Sequence, residues 1–377
     1  MGLPLLMRLA FISLYGAYPP TSGAAYVTYN CARLAPCEVL LVQLGDRAKI
    51  ERAGNLTIVS VRQDGSSRLK KFALMPAAVI RICREIASFK PDHVVLEGAS
   101  WAVYLALVAF VLRRMAPGAR IVYHAHNVEY LLRLQRENRI VAALTRRAER
   151  YLLTVSDRSF AASEEDRERF SALYGIVPEL LPNGVDCTAG RATPEEVETV
   201  RERYGITDES ILFMGLYAYP PNTEAVQFLV NEVMPWLGQR RPDLRLVITG
   251  GDVPCSAPWL INPGVVPRGD LNAILSACRI GVAPIFSGSG TRLKILEYMA
   301  AGLPVVTTKK GAEGLGLQTG KHVLYAETAQ EFGEAILRIL CSRPLSEKLS
   351  LEATVLIREK FDWTPVLQRF ASQLGNS

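Results

Sequence analysis

The sequence predicts an α/β protein of two Rossmann-like, doubly wound domains facing a central cleft, and three observations carry that expectation. A chain of 377 residues is too long for one hydrophobic core. Short apolar, β-branched runs alternate with longer helical patterns, and this alternation occurs twice along the chain. Residues 284–308, PIFSGSGTRLKILEYMAAGLPVVTT, run from a glycine-rich loop into a helix, a tight stop at Gly302-Leu303-Pro304 and an apolar strand, which is half of a parallel α/β unit.

In the first half, strands are expected at 9–14, 39–44, 57–61, 93–96, 120–123 and 159–162. Helices are expected at 24–34, where Gly23 sits near the N-terminus, and at 76–88 and 99–115. One long Arg-rich helical stretch covers 130–154, and a further helix is capped by Ser163 ahead of Glu164, Glu165 and Asp166. Residues 180–186 form a strand end and a turn, and the small, polar run 187–193 is placed as the linker. The second alternation has strands at 211–214, 244–249, 280–284 and 305–308. Its helices fall at 223–237, 270–278 and 329–341, with two more to the C-terminus. Domain one is therefore expected at 1–186, with 358–377 packing back on it, and domain two at 187–357. In the helix that follows the glycine loop, Leu293, Leu296, Met299 and Ala300 are expected to share the buried face.

The net charge of +6 is uneven, because residues 1–182 hold 24 Lys/Arg against 16 Asp/Glu, or +8, which leaves −2 for the rest. The basic half is the one to meet an anionic surface or acceptor, and the Arg-rich 133–150 segment is either a solvated helix face or a patch for anionic lipid. Trp101 and its apolar neighbours are read as core, and Trp363 as packing the final helix. Seven scattered cysteines without a C-x-x-C pair indicate neither a disulfide framework nor a zinc site. The apolar N-terminus is interrupted by Arg8 and reads as a first strand rather than a signal segment, and no run is long enough to span a bilayer. A cytoplasmic protein, with peripheral contact at the inner membrane face, is the expectation.

Chemistry concentrates at two places. Gly288 and Gly290 flank Ser289 in a loop that opens a helix, where free backbone N–H groups and the helix dipole favour an anion. Behind it, Lys294 and Glu297 are three residues apart, with Arg292 at the mouth. Cations and N–H donors suit a nucleoside diphosphate, and a carboxylate suits its ribose diol. The other place is His124-Ala125-His126, just past a strand, where parallel sheets bind their ligands. No D-x-D occurs for a metal-bridged diphosphate, and there is no Walker loop, Ser–His–Asp spacing or cofactor fingerprint.

GSGTRLKILEYMAAGLPVVTT resembles the donor-binding signature of the retaining glycosyltransferases of family 4, which have the two-lobed GT-B fold. Pro182-Asn183-Gly184-Val185-Asp186 is similar to the segment ahead of their second lobe. The run 213–222 with Ala225-Val226, the run 264–271, Gly311-Ala312-Glu313-Gly314-Leu315 and His126-Asn127-Val128-Glu129 resemble a polysaccharide-building branch. Carried position by position, the resemblance implies that Glu297 holds the donor ribose and that backbone near Gly288, Ser289, Gly290 and Thr291 meets the sugar or diphosphate. It also implies that Gly23 lies near the phosphates, that His126 stands beside the transferred sugar, and that Asn127 and Glu129 lie on the acceptor side. This chain departs from the pattern twice. Ser289 stands where many members have a glutamate eight residues before Glu297. Leu216-Tyr217-Ala218-Tyr219-Pro220-Pro221 stands where many have an Arg/Lys pair, which leaves the diphosphate to Arg292, Lys294 and Arg268.

The function implied is a retaining, metal-independent transferase. It would move a sugar from a nucleoside diphosphate sugar, its co-substrate in place of any cofactor, to a glycan or lipid-linked glycan, with no nucleic-acid partner. His126, Arg292 and Lys294 would carry the chemistry. Two other readings stay open at this stage: a nucleotide-sugar epimerase or hydrolase of the same fold, and a catalytically degenerate nucleotide-binding scaffold of a glycan-assembly complex.

Overall fold

A computed structural model of the chain describes residues 7–63, 68–187, 192–288 and 290–375, with side chains for all but 68–73 and 136. Part of the expected linker, 188–191, and Ser289 lie outside the described residues. The chain divides into two compact units, Met1–Asn183 with Trp363–Ser377, and Gly184–Asp362.

The first unit runs β1 (Arg8–Ser13), α1 (Gly23–Arg33), β2 (Glu38–Gly45), β3 (Lys49–Ala53), β4 (Leu56–Arg62), α2 (Arg68–Phe89), β5 (His93–Glu97), α3 (Ala102–Met115) and β6 (Arg120–Ala125). It continues with α4 (Glu129–Arg136), α5 (Arg139–Val155), β7 (Arg158–Ala161), α6 (Glu164–Tyr174) and β8 (Glu179–Leu180). The sheet order is β3-β4-β2-β1-β5-β6-β7-β8, parallel except for the antiparallel pairing of β3 on β4. Central strands such as β1 and β5 are buried on both faces, which explains their continuous apolar sequences. The polar, mostly exposed β3, KIERA, pairs only at the edge, so neither apolar alternation nor a continuous apolar run marks it.

Three expectations are corrected here. The single helix at 130–154 is two helices, because Asn138 leaves the helical conformation and its side chain caps α5 by accepting from Val141 N–H at 2.9 Å. Helix α2 begins at Arg68 and carries Pro76 inside it rather than at its start. Trp101 is only partly buried, and of its neighbours Val103, Leu107 and Phe110 face solvent rather than the core.

The second unit runs α7 (Pro194–Tyr204), β9 (Ser210–Met214), α8 (Pro220–Phe228), a π-helical turn (Leu229–Val233), α9 (Met234–Gly238), β10 (Arg245–Thr249), β11 (Leu260–Gly264) and α10 (Arg268–Ala277). β12 (Ile280–Ala283), α11 (Leu293–Ala300), β13 (Val305–Thr307), β14 (Leu324–Tyr325), α12 (Ala329–Cys341) and α13 (Arg343–Lys360) follow. Its sheet is wholly parallel in the order β11-β10-β9-β12-β13-β14. The helix expected at 223–237 is interrupted by the wide π turn just before Pro235, whose missing N–H cannot continue an α-helical ladder. Helix α14 (Trp363–Gly375) closes the chain in the first unit, where Trp363 is buried beside Tyr26 and the Phe370 ring meets Phe160 edge-on at 5.3 Å.

The glycine loop does not open directly into its helix, since α11 starts at Leu293 with Arg292 as its extended N-cap. Its buried residues are Ile295, Leu296, Glu297, Tyr298 and Met299, while Leu293 and Ala300 are only partly covered. The helix is covered from two sides, by β12 and by α13, so its buried face is wider than one apolar stripe. Tyr298 lies flat over β12 where Gly281 has no side chain, and its hydroxyl accepts the Met214 N–H at 2.8 Å. A Cβ on Gly281 would stand 2.5 Å from the Tyr298 ring. Gly281→Ala is therefore expected to lower stability by about 1–3 kcal/mol, read as a lower urea midpoint with an unchanged slope.

Candidate functional site

Each sheet reverses its winding once, and each reversal exposes the carboxyl ends of two neighbouring strands, the usual seat of a ligand. In the second unit these are β9 and β12, with β9 continuing into Gly215 and β12 into the 284–292 loop. Gly215 and Gly250 cross closely: a Cβ on Gly250, at φ +104°, would stand 2.4 Å from the Gly215 carbonyl oxygen. A Cβ on Gly215 would stand 2.8 Å from Lys294 Nζ, so the missing side chain there leaves room for that ammonium.

Lys294 reaches back from the first turn of α11 and donates to Asn222 Oδ1 at 2.7 Å, with its ammonium 4.0 Å from the centre of the Phe213 ring. The Asn222 amide is oriented by donating its own N–H to the Leu216 carbonyl at 2.8 Å. Among the described residues no carboxylate pairs with Lys294. The residue is partly exposed, yet the packing round its ammonium holds the pKa well below lysine's ordinary value, with burial the main cause and Arg292 the second.

Arg268 and Glu297 are brought together as a pair, Nη1 to Oε1 at 2.9 Å, so Lys294 and Glu297 reach different partners although they start on one helix face. Glu297 Oε2 is buried with no hydrogen-bond partner, a free acceptor next to a half-exposed arginine. Arg292 folds onto its own loop, donating to the carbonyls of Gly290 at 2.8 Å and Ser287 at 3.1 Å, while Ser287 Oγ donates to Glu224 at 2.7 Å. Gly288 and Gly290 take φ +92° and +78°, backbone that side chains rarely adopt, and Thr291 completes the loop ahead of α11. The loop is thus braced from both sides before any ligand arrives.

In the first unit the reversal lies between β1 and β5. Glu97, the last residue of β5, is fully buried and collects donors from three directions. His124 Nδ1 lies 3.2 Å from both carboxylate oxygens, His126 Nε2 lies 2.6 Å from Oε2, and Thr28 of α1 donates at 3.0 Å with Tyr15 behind it at 2.9 Å. Burial alone would raise the Glu97 pKa, but the charge and hydrogen bond of His124, then those of His126, hold it well below the carboxylate range. Burial lowers the His126 pKa despite Glu97, and because an ionised carboxylate only accepts, Nε2 is the nitrogen that donates to it, which makes Nδ1 the acceptor of the neutral, partly exposed ring.

Of the other expected residues, Gly23 is the exposed first residue of α1, behind the Ser22 cap, and Asn127 is partly exposed directly after His126. Glu129 is buried in the first turn of α4, where the helix dipole favours an acid, and is bound to Arg133 at 2.8 Å. That helix is fixed by a residue sequence reasoning missed. Glu149 of α5, wholly buried, accepts from the N–H of Glu129 at 2.8 Å and from the Tyr174 hydroxyl at 2.6 Å. Glu97, Asn222 and Phe213 were missed as site residues as well. An acid ending an apolar run ahead of a glycine, LEG at 96–98, was the available signal for Glu97.

Glu97, His124 and His126 also form the one group among the described residues whose ligand atoms, all within 4.8 Å of one another, could hold a metal ion. Glu97 Oε2 and His126 Nε2 of this group lie at hydrogen-bonding distance, 2.6 Å.

The family described as Glycosyltransferase Family 4 matches residues 22–189, and that described as Glycosyl transferases group 1 matches residues 208–342. An uncharacterized 44.6 kDa protein in the cps region of Klebsiella pneumoniae is 25% identical over 173 residues, 43% of this chain and 45% of that protein. Phosphatidyl-myo-inositol mannosyltransferase of Mycobacterium leprae is 24% identical over 196 residues, 49% of this chain and 50% of that protein. The chain thus spans about half the length of the curated relatives it matches. Among solved structures, Anabaena Alr3699/HepE in complex with UDP and glucose superposes with a TM-score of 0.74 at 15% identity, over 98% of this chain and 100% of that one. Sucrose-phosphate synthase from Thermosynechococcus elongatus gives 0.77 at 17% identity, with 98% of each chain covered. These likenesses establish the GT-B fold.

Removing the Glu97 carboxylate takes the shared acceptor from His124 and His126 and leaves the Thr28 hydroxyl only Tyr15, so Glu97→Ala is expected to destabilise the protein by about 3–5 kcal/mol in calorimetric unfolding. Burial pushes the Glu149 carboxyl up to about 7 from its ordinary 4.5, against the bonds from Tyr174 and the α4 backbone. The folded state therefore holds that proton to higher pH than the unfolded chain, and its stabilising contribution is full below 4.5 and lost as pH rises towards about 7. In Glu149→Gln that part of the fall in melting temperature should disappear, and an unchanged pH profile would refute the assignment.

Proposed function

This chain belongs to the group 1, family 4 glycosyltransferases, and we propose that it moves a sugar from a nucleoside diphosphate sugar to a glycan or lipid-linked glycan acceptor in building a cell-surface polysaccharide or glycoconjugate. The observation that carries the proposal is Lys294: a cation enclosed against an aromatic ring and an amide, with no acid beside it, at the carboxyl edge of a parallel sheet. A diphosphate would supply the missing negative charge.

In this reading the second unit holds the donor. Lys294 and Arg268 face the diphosphate, the backbone of the Gly288–Gly290 loop, braced by Arg292, meets the sugar or phosphates, and Glu297 accepts a ribose hydroxyl on its free Oε2. The first unit presents His126, whose Nδ1 accepts a hydroxyl of the transferred sugar, with Gly23 towards the phosphates and Asn127 and Glu129 on the acceptor side. Transfer retains configuration by front-face displacement. The anomeric C–O bond to the diphosphate breaks, the acceptor oxygen bonds to the same face, and its proton passes to the departing phosphate. Fixed cations stabilise the charge that develops, which is why we read the reaction as metal-independent. Peripheral contact of the Arg-rich 133–150 stretch with an anionic membrane belongs to the same reading, as the place where a lipid-linked acceptor is met.

A diphosphate beside Lys294 favours its charged form, so donor binding should take up a proton and tighten as pH falls. Calorimetry in buffers of different ionisation enthalpy measures that uptake, and Lys294→Met should abolish it while weakening donor binding by tenfold or more. Proton uptake that survives the substitution would exclude Lys294 from the diphosphate. Glu297→Ala is expected to lose nucleotide affinity, whereas His126→Ala should lower kcat more than it raises the donor KM. Equal turnover in His126→Ala and the parent would remove that histidine from the reaction.

A further inference from the structure

Helices α2, α3 and α5 pack side by side on one face of the first sheet, α2 against α3 and α3 against α5. Each connects to a parallel strand of that sheet, so all three run in the same direction. The C-terminal ends of α3 and α5 are tied together, since Arg113 donates to the Val155 carbonyl at 2.5 Å, and Arg133 of α4, the helix just before α5, donates to the Ser100 carbonyl ahead of α3 at 2.7 Å. Their outer stripes therefore lie level with each other.

On α3 the stripe is Val103, Leu107, Phe110 and Arg114, all exposed, with the Arg114 guanidinium 3.7 Å over the Phe110 ring. On α5 it is Ile140, Leu144, Arg147 and Arg150, with Ile140 72% exposed. Leu74, Ile80, Arg81 and Arg84 continue the pattern on α2. More than half of the large apolar side chains that the described surface leaves exposed belong to the α2–α5 segment. Single exposed leucines are ordinary, but rows of them on adjacent helices are not. Acids are nearly absent: α3 has none, α5 has only the fully buried Glu149, and α2 has only the half-buried Glu85.

The chemistry of this face discriminates between partners. A second copy of the chain would set these arginines against one another. A nucleic acid would meet aliphatic side chains where stacking requires aromatic ones. Rows of aliphatic residues giving way to arginines that have no carboxylate partner among the described residues match the acyl boundary and headgroups of an anionic bilayer. We propose that the outer face of α2, α3 and α5 is a membrane-docking surface, on which Val103, Leu107, Ile140 and Leu144 enter the headgroup region and Arg81, Arg84, Arg147 and Arg150 bind anionic lipid. It widens the Arg-rich stretch to three helices and adds an apolar element. It deepens the membrane contact proposed above and rests on that part of the reading, but no residue of the sugar-transfer site takes part, so vesicle binding and sugar transfer fail separately.

The test is co-sedimentation of the full chain with phosphatidylcholine vesicles, with and without phosphatidylglycerol. The protein should bind the phosphatidylglycerol vesicles and be released by salt. The double substitution Arg147→Glu with Arg150→Glu should lose about tenfold or more in affinity. Ile140→Ser with Leu144→Ser should also weaken binding while leaving its salt dependence, and Val103→Ser with Phe110→Ser on α3 gives an independent pair should either of the others fail to fold. The proposal is overturned by a parent protein that ignores phosphatidylglycerol, by charge-reversed protein that binds as well as the parent, or by retention on an RNA oligomer or self-association without vesicle binding.

Discussion

A cation enclosed by the fold with no carboxylate beside it is an electrostatic debt, and Lys294 is that cation. An aromatic face and an amide oxygen compensate part of the lost hydration. Much of the second unit's local architecture serves the placement. Gly215 and Gly250 cross with no side chain to spare, the Leu216 carbonyl turns the Asn222 amide, and the Tyr298 hydroxyl holds the end of β9 where Phe213 forms the floor. A free ammonium could have been paired with Glu297 one helical turn away, but Arg268 takes that carboxylate. The division keeps one positive group uncommitted and one carboxylate oxygen unoccupied within the same unit.

The first unit solves the opposite problem. Glu97 is a buried anion with every nearby donor aimed at it, so it is over-determined where Lys294 is under-compensated. Its consequence is carried through the tautomer of His126, since a proton committed to Glu97 leaves the other ring nitrogen as an acceptor. Glu149 contributes in a similar indirect way by holding the first turn of α4, the helix that begins three residues after that histidine. Positions without any ligand contact thus set the geometry of those proposed to have one.

The parts of this chain that were legible from sequence are those whose environment imposes a simple rule. Buried central strands read as apolar runs, the Ser163 cap precedes three acids, and the helix expected at 329–341 is α12, whose Thr328 and Glu331 form a reciprocal cap. The edge strands β3, β11 and β14 were not legible, because one is polar on all sides, one carries Asn262 and Pro263, and one is two residues long. Lys294, Glu297 and Arg268 could be singled out, but that Arg268 pairs with Glu297 while Lys294 turns to Asn222 depends on the first turns of α10 and α8, whose residues lie 29 and 72 positions from their partners in sequence. Glu97 is the plainest omission. Its donors Thr28 and His126 lie 69 and 29 residues away, and only the fold brings α1 and the end of β6 to the end of β5.

The return of α14 to the first unit gives the chain an order of assembly. The second unit is continuous in sequence, whereas the first is interrupted by it and completed only by the last helix. During synthesis the second unit has all of its residues while the first still lacks the Trp363 and Phe370 side chains that cover Tyr26 and Phe160. The first sheet must therefore wait with that apolar face uncovered, and a chain halted before α14 has a second unit that is whole and a first unit that is open to a chaperone or a protease.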